Sequence, residues 1–487
     1  MFWAFLLLLL GIFVFYIPAL WYDYIIDDFA IYASSGIKPK SKWQFLWRQF
    51  KGDKFWGRPN PYAHSIPIIV HFVACLMIYF AFGRTPIACL AALLFAAHPV
   101  NSEIVAGLTG KPYAITAVLI MLAWAVPFLA PFIYSLTVLP YPSAIINAQR
   151  WYFTISMMVS PLIYIALASH WSWLALIVFL TFWVKIRYMV SPKLNLKIVH
   201  YTENTEALSI NIRKFIVAIK FYGYYFVNGV LGLHFSFYQG YMSEHITHKR
   251  GVKDSAKLDR YFFIGLIVLY ILITNLIWNY SWRVDMLTEN PALFGLLWFT
   301  INIAMFCNFF SVGQMHLTCR YFYLPGIGLM IFLAAIAREY PFVAIFLLGW
   351  YLRQLIYARR QYENNWWHNF YQLADEPRYY YSWLLFGNLM YARGHFGAAL
   401  QNYLEALNYE KNNFKVYFNI TSCYIFLNEF DKAIVYLEES KKYELMGQEK
   451  TRLEWIEERE ILLGKLLQAK ERKIKVSMNL EEVAIVI

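Results

Sequence analysis

In a chain that is 60% apolar and only 15% charged, the ionisable residues carry the chemistry. Each one costs free energy in an apolar surrounding unless a cavity, a partner or water receives it. They gather in two clusters and one isolated site. The first cluster runs Tyr22, Asp23, Tyr24, Ile25, Ile26, Asp27, Asp28, Phe29, continues with Trp56, Gly57, Arg58, Pro59, and ends on His64 and His71. The second is His98, Pro99, Val100, Asn101, Ser102, Glu103, with Gly107, Gly110 and Lys111 behind it, and the isolated site is Arg320.

Adjacent carboxylates cannot both aim at one point from a regular backbone. Asp27 and Asp28 therefore divide their work: one takes protons while the other hydrogen-bonds or binds a cation. Two like charges this close also raise one pKa, which suits a general base. The alternative for the dipeptide is an ordinary acidic loop beside the membrane. His64 and His71 are seven residues apart, on one helical face but outside the i, i+4 metal geometry, and read as structural histidines. Arg58, Lys111 and Arg320 read either as a phosphate clamp at the membrane surface or as side chains snorkelling toward headgroups.

Apolar segments must position these residues. With about 20 residues needed per crossing, the hydropathy pattern predicts spans at 2–20, 66–82, 85–97, 114–130, 151–168, 171–190, 214–237, 261–278, 292–310, 323–337 and 342–357, about eleven in all. Segment 85–97 covers only ~20 Å of a ~30 Å core and reads as a half-span ending in a cavity. Pro127, Pro131, Pro140 and Pro142 mark a further broken or re-entrant segment, whose freed backbone groups need shelter in protein or a cavity. The first span has no basic n-region or clear cleavage site and reads as an uncleaved helix. Lys185, Arg187, Lys193, Lys197, Arg213 and Lys214 make one loop cytoplasmic under the positive-inside rule. The N-terminus then lies inside, and both clusters, Arg320 and the C-terminal domain lie on the outer face. One loop, 248–260, is basic although this topology puts it outside.

The formal charge of +12 is distributed in loops between apolar runs, which speaks for membrane orientation and against a nucleic-acid partner. Five cysteines without a C-x-x-C pair indicate neither a disulfide framework nor a zinc site.

From Tyr380 another period takes over. Trp383, Gly387, Ala399, Tyr403 and Ala406 recur 34 residues later as Tyr417, Thr421, Ala433, Leu437 and Ser440, a pattern that resembles tetratricopeptide (TPR) repeats. Each unit is a helix pair whose small residues allow close contact and whose aromatics fill the gap. The expected domains are a membrane part over 1–358, a connection over 359–379, helical repeats with a capping helix over 380–475, and a tail over 476–487. The repeats read as a packing or partner-binding module.

The order of the motifs adds to this. An aromatic-flanked Asp-Asp after the first span is followed by Arg58–Pro59, by His64 and His71 and by Phe95, His98, Pro99, Val100 and Glu103. Gly107, Gly110 and Lys111, and then Arg320, Tyr321, Tyr323, Leu324, Pro325 and Gly328, complete it. This order resembles GT-C glycosyltransferases, in particular the transmembrane-and-TPR-containing O-mannosyltransferases. The resemblance covers roughly 23–113, 320–328 and the repeats. It implies an all-α GT-C-like bundle with a C-terminal TPR domain, a polyprenyl-phosphate sugar donor, an outer-face active site and inversion at the anomeric carbon.

Carried over by position, Asp27, Asp28 and Glu103 are the catalytic acids, and Arg58, His98, Lys111, Arg320 and Tyr321 hold the donor phosphate. Lys111 stands where the family has Arg and offers a point charge instead of a bidentate fork. An acidic pair beside a phosphate can also recruit Mg²⁺ or Mn²⁺, here at Asp27 and Asp28. The expected partners are membrane lipid, the lipid-linked sugar, and an acceptor protein or glycan or a larger complex met through the repeats. The expected place is a bacterial inner membrane with the repeats in the periplasm, or alternatively an endoplasmic reticulum. Only four residues separate Pro59 from His64, fewer than the family usually has. That short loop keeps a second reading open, a GT-C-derived structural or assembly subunit without catalysis.

Overall fold

The computed structural model describes residues 1–23, 61–107, 110–126, 212–233, 258–279, 289–304, 306–307, 319–375, 377–411, 413–446 and 460–468. Among these, every regular element is helical. The chain divides into two compact units, Met1–Asn364 and Asn365–Ile487.

In the first unit, α1 (Phe2–Phe13) runs into a 3₁₀ segment, Val14–Trp21, that contains Pro18. There follow α2 (Pro61–Ala81), α3 (Pro86–Ala97), a 3₁₀ turn (Pro99–Asn101), α4 (Ser102–Ala106), α5 (Lys111–Ala125), α6 (Ile212–Leu231), α7 (Arg260–Asn279) and α8 (Pro291–Ala304). The unit closes with a 3₁₀ turn (Cys319–Phe322), α9 (Tyr323–Glu339) and α10 (Pro341–Arg360). Proline opens α2, α3, α8 and α10, where its fixed φ suits a helix start and its missing N–H would lack a partner anyway. At the head of α3 the Thr85 hydroxyl also accepts from the Ala88 N–H at 3.1 Å, a side-chain cap.

Among the described residues five helices are long and apolar enough to cross a bilayer: Phe2–Trp21, Pro61–Ala81, Arg260–Trp278, Cys319–Glu339 and Pro341–Arg360. Pro86–Ala97 and Pro99–Ala106, bent by 56°, make a sixth if counted as one broken span. The chain is thus an integral membrane protein, and the described residues do not establish eleven crossings. Tyr113–Ala125, Phe215–Leu231 and Pro291–Ala304 are shorter apolar stretches of 10–17 residues, the second of them inside the 20-residue α6. Expected spans 151–168 and 171–190, and the segment of Pro127, Pro131, Pro140 and Pro142, lie outside the described residues.

Close packing of α8 on α9 explains two glycines. A Cβ on Gly295 would lie 2.5 Å from the Gly328 carbonyl, and one on Gly328 would lie 2.6 Å from the Gly295 carbonyl and from the Trp298 ring. Only bare backbones approach this closely, the usual device where lipid offers no hydrophobic drive for association. Trp298 is fully buried and donates to the Leu324 carbonyl at 3.1 Å. Its ring meets Phe82 at 5.8 Å and Trp124 at 5.5 Å.

In the second unit α11 (Asn365–Asp375) precedes α12 (Tyr380–Ala392), α13 (Phe396–Tyr409), α14 (Phe414–Phe426) and α15 (Phe430–Ser440). Both α14 and α15 begin 34 residues after their counterparts α12 and α13. Ala399, Tyr403, Ala406, Ala433 and Leu437 are fully buried, Tyr417 nearly so and Trp383 half-buried. Gly387 packs under Tyr403, whose ring would be 2.5 Å from a Cβ there. The Tyr403 hydroxyl donates to Asn388 Oδ1 at 2.8 Å, and Asn419 Nδ2 reaches the same oxygen at 3.0 Å. Leu462 and Leu466, in the helical stretch 460–468, complete this core.

Candidate functional site

The break after α3 is where the two motif segments meet. Pro99 cannot continue a helix and bends the preceding residue away from it, so α3 stops at Ala97. The freed Phe95 carbonyl receives the His98 N–H at 3.3 Å and Asn101 Nδ2 at 2.7 Å, which lets the broken backbone survive in an apolar surrounding. The short α4 that follows holds Glu103, which is buried.

Glu103 meets Arg320, 217 positions later. Its Oε1 lies 2.8 Å from Arg320 Nε, and its Oε2 accepts the Arg320 main-chain N–H at 3.0 Å. One carboxylate therefore fixes both the charge and the backbone of the 3₁₀ turn that opens α9. Beside it, Tyr321 stacks on Phe306 with ring centroids 4.8 Å apart and planes 7° apart, and lies 6.4 Å from Tyr113 at the start of α5. Lys111, the first residue of α5, is buried and bears electrostatically on buried His64 near the start of α2.

The ends of α1, α4 and α10 converge on the same region. Ala19, Tyr22, Ala106 and Tyr362 form one buried cluster, and the Asp23 N–H donates to the Glu363 carbonyl at 2.9 Å. Pro18 has no N–H to close the 3₁₀ bond to the Phe15 carbonyl, and Arg359 Nη1 donates there instead at 2.6 Å. Burial pushes the Tyr22 phenol up to about 12, against the opposing pull of Arg359, so it stays a neutral donor.

His98 has a different place from the other motif residues. Its Nε2 donates to the Gly229 carbonyl at 2.9 Å, which leaves Nδ1 to accept the Val100 N–H at 3.3 Å. Both ring nitrogens are engaged by main chain in one neutral tautomer. Together with Tyr351, whose hydroxyl donates to the Val230 carbonyl at 2.7 Å, and Trp350, which donates to Leu231 at 2.6 Å, it caps the last turn of α6. Those carbonyls have no partner within their own helix. His71 lies between helices, its Nδ1 2.6 Å from the Tyr323 hydroxyl with the Tyr16 ring against it.

The fold thus brings Glu103 and Arg320 into contact, with Tyr321 adjoining. Asp27, Asp28 and Arg58 lie outside the described residues. Among the described residues no group of three or more His, Cys, Asp or Glu could hold a metal. In the first unit Lys220 of α6, a residue in no motif, meets Asp259 at 3.1 Å, while the other Asp259 oxygen caps α7 at the Phe262 N–H.

These features define a polytopic helical membrane protein with an ion pair and aromatic neighbours where several helix ends meet. Over 81 residues the chain is 35% identical to human "Protein O-mannosyl-transferase TMTC1", a stretch that covers 15% of this chain and 9% of that protein. The similarity to a protein O-mannosyl-transferase is therefore partial, spanning less than a tenth of the relative. No family model matches the chain, and no solved structure matches it.

Proposed function

We propose that this chain is a membrane glycosyltransferase that moves a sugar from a polyprenyl-phosphate donor to a protein or glycan acceptor at the outer or luminal membrane face. The observation that carries the reading is the contact of Glu103 with Arg320. These residues belong to the two motif segments that resemble the O-mannosyltransferases, and folding brings them to one point. The 81-residue similarity to a protein O-mannosyl-transferase supports the same direction. In this reading the membrane part has about eleven crossings, and α12 to α15 are two TPR units capped by the helix over 446–470.

The chemistry needs a base, an anion clamp and a dry surrounding. Asp27 is the base in this reading. In the reaction it takes the proton of an acceptor hydroxyl as the acceptor oxygen attacks the anomeric carbon. The carbon–oxygen bond to phosphate breaks with inversion, and the polyprenyl phosphate leaves with the electron pair. Arg58, Lys111 and Arg320 stabilise that developing charge, which in a low-dielectric site contributes a few kcal/mol. Glu103 orients the Arg320 fork, and Asp28 hydrogen-bonds or binds Mg²⁺ or Mn²⁺.

The test is transfer from polyprenyl-phosphate sugars to protein acceptors by the purified full chain. Asp27→Asn keeps size but not proton acceptance, and transfer should fall by a factor on the order of 10² to 10⁴ with the fold intact. The second reading, an assembly subunit, rests on the four residues between Pro59 and His64 and on the helix pairs of the second unit. It replaces the enzyme if wild type yields no product with several sugars while deletion dissolves a membrane assembly that Asp27→Asn leaves whole.

A further inference from the structure

Helix α11 has its polarity inverted. His368, Asn369 and Gln372 are buried, and Gln372 Nε2 reaches the Ser382 hydroxyl at 3.3 Å. On the other side Trp367, Phe370, Tyr371 and Ala374 follow one another at i, i+3, i+4 and i+7, a continuous apolar stripe. Phe370 is 44% exposed, Ala374 is exposed, and the other two are half-buried. The three rings touch one another at 5.8 to 5.9 Å and form one plate. The helix is anchored to its own unit by Trp366, whose ring meets Phe386 at 5.5 Å and Arg393 at 4.9 Å.

A helix that only packed in water would turn its aromatics inward and its amides outward. We infer that the Trp367–Phe370–Tyr371–Ala374 face of α11 is a membrane-interface surface that lies in the headgroup region of the bilayer. Its place in the chain identifies the occupant. α10 is a candidate membrane span ending at Arg360, and α11 begins at Asn365. Five residues reach at most about 18 Å, so α11 starts close to where a crossing ends. Trp and Tyr are the residues that settle at headgroup depth, and the exposed Arg360 and Arg378, near in sequence, suit phosphate headgroups. A strongly two-faced helix with large aromatics on one side is the form that lies in the interface plane. The inference is independent of whether the chain transfers sugar.

The experiment uses the full chain in lipid nanodiscs, with half-buried Cys89 changed to Ser so that the remaining native thiols are buried ones. A spin label is placed by Ala374→Cys, and a reference label by Lys432→Cys, a site 62% exposed at its side chain. Collision with oxygen, which concentrates in lipid, should exceed collision with a water-soluble nickel complex at 374, and the order should reverse at 432. Adding Phe370→Glu should lower the oxygen-to-nickel ratio at 374 several-fold. A label at 374 as open to nickel as the one at 432 overturns the proposal. So does shielding from both probes, which would mean a protein covers the face, and so does a ratio that Phe370→Glu leaves unchanged.

Discussion

Breaking the Glu103–Arg320 pair from either side, and then from both, tests what it does for the fold apart from what Arg320 does for transfer. Both side chains are largely out of water, at 4% and 14% exposure. Arg320→Met leaves the Glu103 carboxylate buried without its cation and should cost about 3–5 kcal/mol. Glu103→Gln is milder: an amide oxygen still receives the Arg320 N–H now held at 3.0 Å, while the guanidinium, at 14% exposure closer to water than the carboxylate, loses its counter-charge, about 1.5–3 kcal/mol. The double variant leaves no uncompensated charge, so it should lose less than the sum of the singles by about 2 kcal/mol or more. Unfolding in mixed micelles measures the global effect. Alkylation of Cys319 measures local opening, because that thiol adjoins Arg320 in the same turn and is buried. Each single variant should label Cys319 faster than wild type, with Cys75 in α2 unchanged, and the double variant should recover most of the protection. If the chain is the proposed transferase, transfer should stay low in the double variant, because the cation proposed to meet the donor phosphate is still missing. Strict additivity, or single variants as closed as wild type, would refute the claim that this pair clamps α4 to the turn before α9.

Three further outcomes follow from particular contacts. Gly328→Ala sets a methyl 2.6 Å from the Gly295 carbonyl and should cost about 1–3 kcal/mol by forcing α8 and α9 apart, read as a lower unfolding midpoint of the purified chain. Asp28→Asn should reduce transfer less than Asp27→Asn, unless a cation binds there; in that case excess Mg²⁺ or Mn²⁺ should restore part of the activity. Burial pushes the Cys423 thiol up to about 12, against about 8.5 in an unfolded chain. The folded second unit thus holds that proton more tightly, and its stabilising contribution, complete below about 8.5, is lost as pH rises toward the folded value. Alkylation of Cys423 at pH 10 should remain slow in the native chain and become fast in denaturant.

Local patterns are legible in the sequence and distant ones are not. The 34-residue recurrence of Trp383, Gly387, Ala399 and Tyr403 needs only neighbouring helices, and the helix starts repeat with that period. Segment 85–97 is too short to cross and ends in His98–Pro99, and α3 does end there and bend. His64 and His71 read as structural from their spacing, and both are fully buried. The role of His98 is harder to see. A His-Pro step at a helix end suggests a turn, but which carbonyl its Nε2 meets depends on α6, more than 130 residues away. The number of crossings is a separate matter: five helices among the described residues are long and apolar enough to cross, or six with the bent pair, while expected spans 151–168 and 171–190 lie outside those residues.

Glu103 and Arg320 show where such reasoning stops and what the structure adds. Each stands out alone, one as an acid and one as a cation, because an ionisable residue in apolar sequence is costly by itself. Nothing across their separation of 217 positions sets a register, so their roles read as separate. Contact merges the roles: one Glu103 oxygen lies 2.8 Å from the Arg320 guanidinium and the other accepts the Arg320 main-chain N–H, so both are already engaged. If the chain transfers sugar, the proton must therefore go elsewhere, and the Asp27–Asp28 pair is the remaining acidic motif. Glu103 then acts through Arg320. Loss of Glu103 should weaken donor binding and the stability of the turn together, whereas loss of Asp27 should lower turnover alone.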